Sequence, residues 1–171
     1  DFGYTETPQA LAEKAEAVGE SVDAAAEYIR YRDSDRGKAE LLFTYLMERF
    51  TYVSGESSTP LYDALCSGVA TPLGLSQAWQ LICDQAGVEC YTVSGLKDGE
   101  SYTWNIISAD GYFRHVDLYR CVLERGTLVL ESDGEMSGYY WDQEEYPACE
   151  PEAIVPVTPE LPETPAETPP A

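Results

Sequence analysis

The sequence predicts an α+β domain in which N-terminal helices and a central helix pack on an antiparallel β-sheet. Three observations lead there. Leu75, Ala78, Trp79, Ile82 and Ala86 follow Thr71-Pro72 at helical spacing and form one apolar stripe with a 3.6-residue period. Residues 88–95, 101–109 and 112–119 are rich in Val, Ile, Tyr, Trp and Thr, and Asp110-Gly111 between the last two is a strong hairpin signal. The helices come first and the strands after, the order of an α+β domain rather than of alternating α/β units.

The elements follow in chain order. Residues 8–31 read as a helix, with Leu11, Ala15, Val18, Val22, Ala25, Ala26 and Ile29 spaced for one buried face. Asp33-Ser34-Asp35 breaks it, and Ser34 or Asp35 can cap a second helix over about residues 36–50, whose apolar side is Ala39, Leu42, Phe43, Tyr45, Leu46 and Phe50. Residues 51–60, with Gly55, three serines and Pro60, form a polar loop. After the turn at Gly68, Thr71 caps a helix with Pro72 at its first position, where the missing N–H has no intrahelical partner to lose, and Gly87 stops it. Beyond the three strands, residues 127–131 alternate like a fourth, short one, and Tyr139-Tyr140-Trp141 sits in an aromatic closing segment.

The run from Leu61 to Cys121, LYDALCSGVATPLGLSQAWQ followed by the YTWNIISADGYFRHVDL strands, resembles the core of the bacterial transglutaminase-like superfamily, which shares the papain-type fold. The likeness spans about residues 20–149. It implies a Cys, His, Asp triad, and position by position the triad is altered. The family's Cys opens the central helix in an Ala-x-Cys-x-Gly segment, and Ala70-Thr71-Pro72-Leu73-Gly74 stands there. The family's His precedes Ala-Trp-Asn, and Tyr102 precedes Thr103-Trp104-Asn105. The third member is retained as Asp117 in Val-Asp-Leu.

The chemistry makes these changes consequential. Such a site needs a thiolate, held by a helix N-terminus and an imidazolium, and an N–H donor for the oxyanion. Pro72 supplies neither thiol nor N–H, and a phenol titrating near 10 does not shuttle protons at neutral pH. The degenerate positions Pro72, Tyr102 and Asp117 therefore point to a domain without catalysis, with Asp117 left to hold Tyr102 or a backbone amide. Tyr102, Trp104, Tyr139, Tyr140 and Trp141 are candidate walls of a remodelled groove for a protein, a peptide or a cell-wall glycan. The competing reading is a thiol-dependent peptidase or acyltransferase rewired onto Cys66, with His115 and Asp117 two apart on one strand face.

Composition bounds the rest. The 171 residues, 44% hydrophobic, suffice for one core, assigned to residues 1–149 with its centre from about 36. Ten basic against 31 acidic residues give a net charge of -21, which repels nucleic acid and anionic lipid and excludes a nucleic-acid partner. No basic n-region or long apolar window marks a leader or a membrane span, and a start at Asp1 leaves room for one removed upstream. Residues 150–171 read as a solvated spacer: eight of the 11 prolines lie from Pro147 onward and no Lys or Arg follows Arg125. The five cysteines form no CxxC pair, so neither a metal site nor another cofactor is expected. They suit a secreted or cell-surface, extracytoplasmic monomer with Cys83–Cys90 and Cys121–Cys149 disulfides and Cys66 free.

Overall fold

A computed structural model describes residues 6–151. Helix α1 (Pro8–Ile29) begins at Thr7, whose side chain accepts from the Ala10 amide at 3.1 Å, and α2 (Asp35–Met47) begins at Ser34, which accepts from the Gly37 amide at 3.0 Å. Only the C-terminal half of α1 is fully buried, through Val22, Ala25, Ala26 and Ile29. Leu11 is 54% exposed and Ala15 is exposed too, so the long apolar face expected for this helix is only half used. The cluster it joins with Leu42, Phe43, Leu75 and Trp79 takes in Val22 onward and leaves the first turns to solvent.

Residues 51–60 are not simply a loop. Strand β1 (Tyr52–Val53) pairs in parallel with β2 (Val69–Ala70), Tyr52 opposite Val69 and Val53 opposite Ala70. Between them lie α3 (Pro60–Tyr62) and a single π turn, Asp63–Ser67, closed by Gly68 at φ 73°. This clip fixes the start of the central helix α4 (Pro72–Ala86), where Thr71 Oγ1 accepts from the Gly74 amide at 3.0 Å as the capping pattern predicts. Gly74 is required by packing: a Cβ there would overlap the Pro60 carbonyl. At the far end Gly87, at φ 80°, adopts the left-handed conformation that ends the helix.

The sheet consists of β3 (Cys90–Lys97), β4 (Glu100–Ala109), β5 (Tyr112–Val116) and β6 (Tyr139–Tyr140), antiparallel in the order β5-β4-β3-β6. Asp110-Gly111 turns β4 into β5 with φ of 56° and 91°, the double positive φ of a type I′ turn. Asp98-Gly99 repeats the device between β3 and β4, with φ of 51° and 84°.

Two expectations are corrected here. The third strand ends at Val116 and not at residue 119, because Asp117 accepts from the Arg120 amide and starts a short helix, α5 (Leu118–Arg120). The proposed strand over residues 127–131 reduces to one bridge, Glu131 to His115, while Tyr139–Tyr140 supplies the fourth strand against Leu96 and Lys97.

Four consecutive β4 residues, Trp104 to Ile107, are buried because both faces of the sheet are covered. The helices cover one face. The closing segment covers the other with Met136, Trp141 and Cys149 packed on Val93, Trp104 and Ile106.

That division also decides the cysteines, all five of which are free thiols. Cys83 and Cys90 lie in the same helical cluster. Cys121 belongs to that cluster and Cys149 to the aromatic one on the opposite face, so the expected Cys121–Cys149 bridge is corrected: the sheet lies between them. Arg114 Nη1 donates to the Glu150 carbonyl. The spacer proper lies outside the described residues.

Candidate functional site

A groove of about 1310 Å³ opens where the start of α4 faces the end of the sheet. Pro60, Thr71, Pro72 and Leu73 form one wall with the loop from Gly55 to Ser58, and Ser94, Gly95, Leu96, Tyr102 and Thr103 form the other. Tyr140, Trp141 and Asp142 close one end. The loop is held by serine turns: Ser54 Oγ accepts from the Glu56 amide at 3.2 Å, and Ser57 Oγ accepts from the Thr59 amide at 3.0 Å while donating to Asp63.

Pro72 and Tyr102, the residues the sequence reading sets at the nucleophile and base positions, both line this groove. At the helix start Pro72 has no N–H, and Thr71 Oγ1 occupies the Gly74 amide. The first turn of α4 therefore has little left to offer an anion. Tyr102 donates its hydroxyl to Asp117 Oδ1 at 2.7 Å. Asp117, 5% exposed, is surrounded by donors: the Arg120 amide at 3.1 Å, Lys97 Nζ at 3.1 Å and the Tyr139 hydroxyl. Burial and then the charge of Asp117 push the Tyr102 phenol well above its ordinary value. Burial, followed by the Asp117 hydrogen bond, does the same to Tyr139. Both phenols stay protonated near neutrality and act as donors.

The aromatic set divides on the structure. Tyr102, Tyr140 and Trp141 line the groove, with Tyr140 72% exposed. Trp104 does not: it is fully buried, edge-on to Tyr139 at 5.3 Å and to Trp141 at 6.0 Å, and its expected place in the groove wall is corrected to the core. Tyr139 is turned inward onto Asp117 and is likewise absent from the groove lining. Lys97, which no sequence signal marked, completes the Asp117 cluster and lies 4.6 Å from the Tyr102 ring centre.

The rewired trio is not assembled, which corrects that alternative. Cys66 is exposed on the π turn, its sulfur 3.6 Å from Ser21 Oγ of α1. His115 is engaged by other partners, contacting Asp133 Oδ1 through Nε2 at 2.7 Å, while its Nδ1 accepts from the Trp104 indole at 3.0 Å. An indole N–H can only donate, so Nδ1 carries the lone pair and Nε2 the proton. Burial accordingly lowers the His115 pKa, against the opposing pull of Asp133.

A different group of three does come together, and sequence spacing carried no sign of it. The ligating atoms of His115, Asp133 and Cys149 lie within 4.8 Å of one another. Both imidazole nitrogens are already engaged, so His115 can ligate a metal only by giving up the Trp104 bond. Burial and Asp133 push the Cys149 thiol up to about 12, which removes the thiolate a nucleophile requires. Asp133 also accepts from the Cys149 amide at 3.2 Å and donates its own amide to the Cys149 carbonyl at 2.7 Å. The cluster is a clasp that fastens the closing segment to the sheet.

No family model matches the chain, and no curated protein matches it. Solved structures do. A TGase crystal structure is 15% identical, covering 68% of this chain and 34% of its own, with a TM-score of 0.47. A candidate cysteine protease from Cytophaga hutchinsonii is 10% identical, covering 72% of this chain and 46% of its own, with a TM-score of 0.50. The chain thus spans less than half the length of either. The likeness to the second structure concerns the fold: helices and an antiparallel sheet in the α+β arrangement of a papain-type cysteine protease.

Proposed function

We propose that this chain is a catalytically degenerate, transglutaminase-like module that binds a partner in the groove beside Pro72. The observation that carries the reading is the pairing of Pro72 with an Asp117-bonded Tyr102 on one groove. The polar contact of the third triad position survives, while the thiol and the imidazole that would act on it are absent. Fold alone does not assign activity, so the argument rests on the chemistry of these positions. Placement outside the cytoplasm, in a secreted or cell-envelope protein, belongs to the same proposal and is supported by the acidic composition and the Pro/Thr-rich end.

The test is restoration. In a Cys66→Ala background, Pro72→Cys is expected to give a thiol with nearly ordinary alkylation pH dependence. Adding Tyr102→His is expected to lower that pKa through an imidazolium oriented by Asp117. The unaltered protein is expected to form no thioester with glutamine or ester substrates. Turnover of such substrates by the unaltered protein, lost in Cys66→Ala, overturns the reading.

A further inference from the structure

Resting on that reading of the groove, we propose that its occupant is an extended peptide segment carrying lysine or arginine side chains. The charges of the lining all have one sign. Glu56, Glu100 and Asp142 are exposed in or at the edge of the groove, none makes an ion pair among the described residues, and no lysine or arginine lines it. Lys97, next in sequence to the lining residue Leu96, is turned onto Asp117. An anionic ligand would meet three carboxylates without ion-pair partners and a helix start without an amide at Pro72, whereas ammonium or guanidinium groups would find carboxylate oxygens at each, at Asp142 beside the bond its Oδ1 accepts from the Glu144 amide.

The apolar features fit the stems of such side chains. Leu73, Leu96 and Tyr140 are exposed within the groove at 42%, 38% and 72%. Long basic side chains lay their methylenes along surfaces of this kind and keep the charged head at the rim. A glycan is less well matched, since stacking on sugars uses open ring faces and Trp141 is only 8% exposed, packed edge-on against His115 at 4.6 Å. The chain's own end is excluded by charge: residues 152–171 hold four glutamates and no basic residue.

The experiment uses the full chain and three fluorescein-labelled decapeptides, alternating Lys-Ala, Gln-Ala and Glu-Ala, with a chitosan tetramer as competitor. Anisotropy is read at low ionic strength and at about 0.15 M salt. The Lys-Ala peptide is expected to bind, and Glu56→Gln, Glu100→Gln, Asp142→Asn together are expected to weaken it about tenfold, as three rim ion pairs of modest strength would. A control, Glu13→Gln, Glu16→Gln, Glu20→Gln on α1, is expected to change it less than about twofold. Equal loss in the control would reduce the effect to net charge and overturn the proposal. Equal or tighter binding of the Gln-Ala peptide, displacement by chitosan without a response to the groove variant, or no binding of any peptide would overturn it too. None of these touches the non-catalytic reading, which fails only if substrate turns over.

Discussion

The Tyr102 hydroxyl sits 2.7 Å from Asp117 Oδ1, a donor on β4 reaching the carboxylate that follows β5. Tyr139 and Lys97 share the other oxygen, so one buried carboxylate joins β3, β4, β6 and the start of α5. Removing one donor leaves three. Tyr102→Phe is expected to destabilise the domain by about 1 kcal/mol, and Asp117→Ala, which strands several donors at once, by about 3 kcal/mol or more. Urea denaturation of both variants checks this, and equal effects would show that Tyr102 is the dominant partner.

His115 predicts a pH dependence. Its folded-state pKa lies below the unfolded value of 6.5, so the unfolded chain binds the proton more readily. The contribution is complete above about pH 6.5 and is lost as pH falls toward the folded pKa. Comparing the wild type with His115→Gln between about pH 7.5 and 5.5 isolates it from carboxylate titration, which begins lower. The wild type is expected to lose stability across this window more steeply than the variant, and parallel curves would refute the assignment.

The thiols are expected to react by position. Exposed Cys66 is alkylated first, and Cys83 and Cys149, whose thiols are pushed well above the ordinary range by burial and by neighbouring groups, last. Under oxidant, Cys83 and Cys90 are expected to form the intramolecular disulfide, closing a short loop that adds about 2–3 kcal/mol. Non-reducing peptide mapping decides it, and a Cys121–Cys149 peptide would mean that the closing segment can leave the sheet.

Gly95 is a close approach between the groove lining and the core. A Cβ there would overlap the Tyr140 carbonyl and approach the Trp104 ring to 2.7 Å. Gly95→Ala is expected to cost about 1–3 kcal/mol and to loosen β6, where Gly99→Ala, with open space around it but φ of 84°, is expected to act only through backbone strain of about 1 kcal/mol. Thermal denaturation of the pair separates the two mechanisms.

Local patterns carried much of this protein. The caps at Ser34 and Thr71, the stop at Gly87, the Asp110-Gly111 turn and the stripe through Leu75, Trp79 and Ile82 are short-range features, each set by neighbouring side chains and backbone geometry. Pro72 and Tyr102, which line the groove, could be singled out for the same reason, because they lie inside contiguous motifs. Tertiary structure decided what depends on approach between distant segments. It moved Trp104 from groove wall to core, since only packing of the closing segment reveals which face of β4 is covered. It placed Cys121 and Cys149 on opposite faces of the sheet. It brought Asp133 and Cys149 to His115, and Lys97 and Tyr139 to Asp117, pairings separated by 18 to 34 residues in the chain. A buried polar group takes whichever partner the folded chain presents, and no periodicity in the sequence encodes that choice.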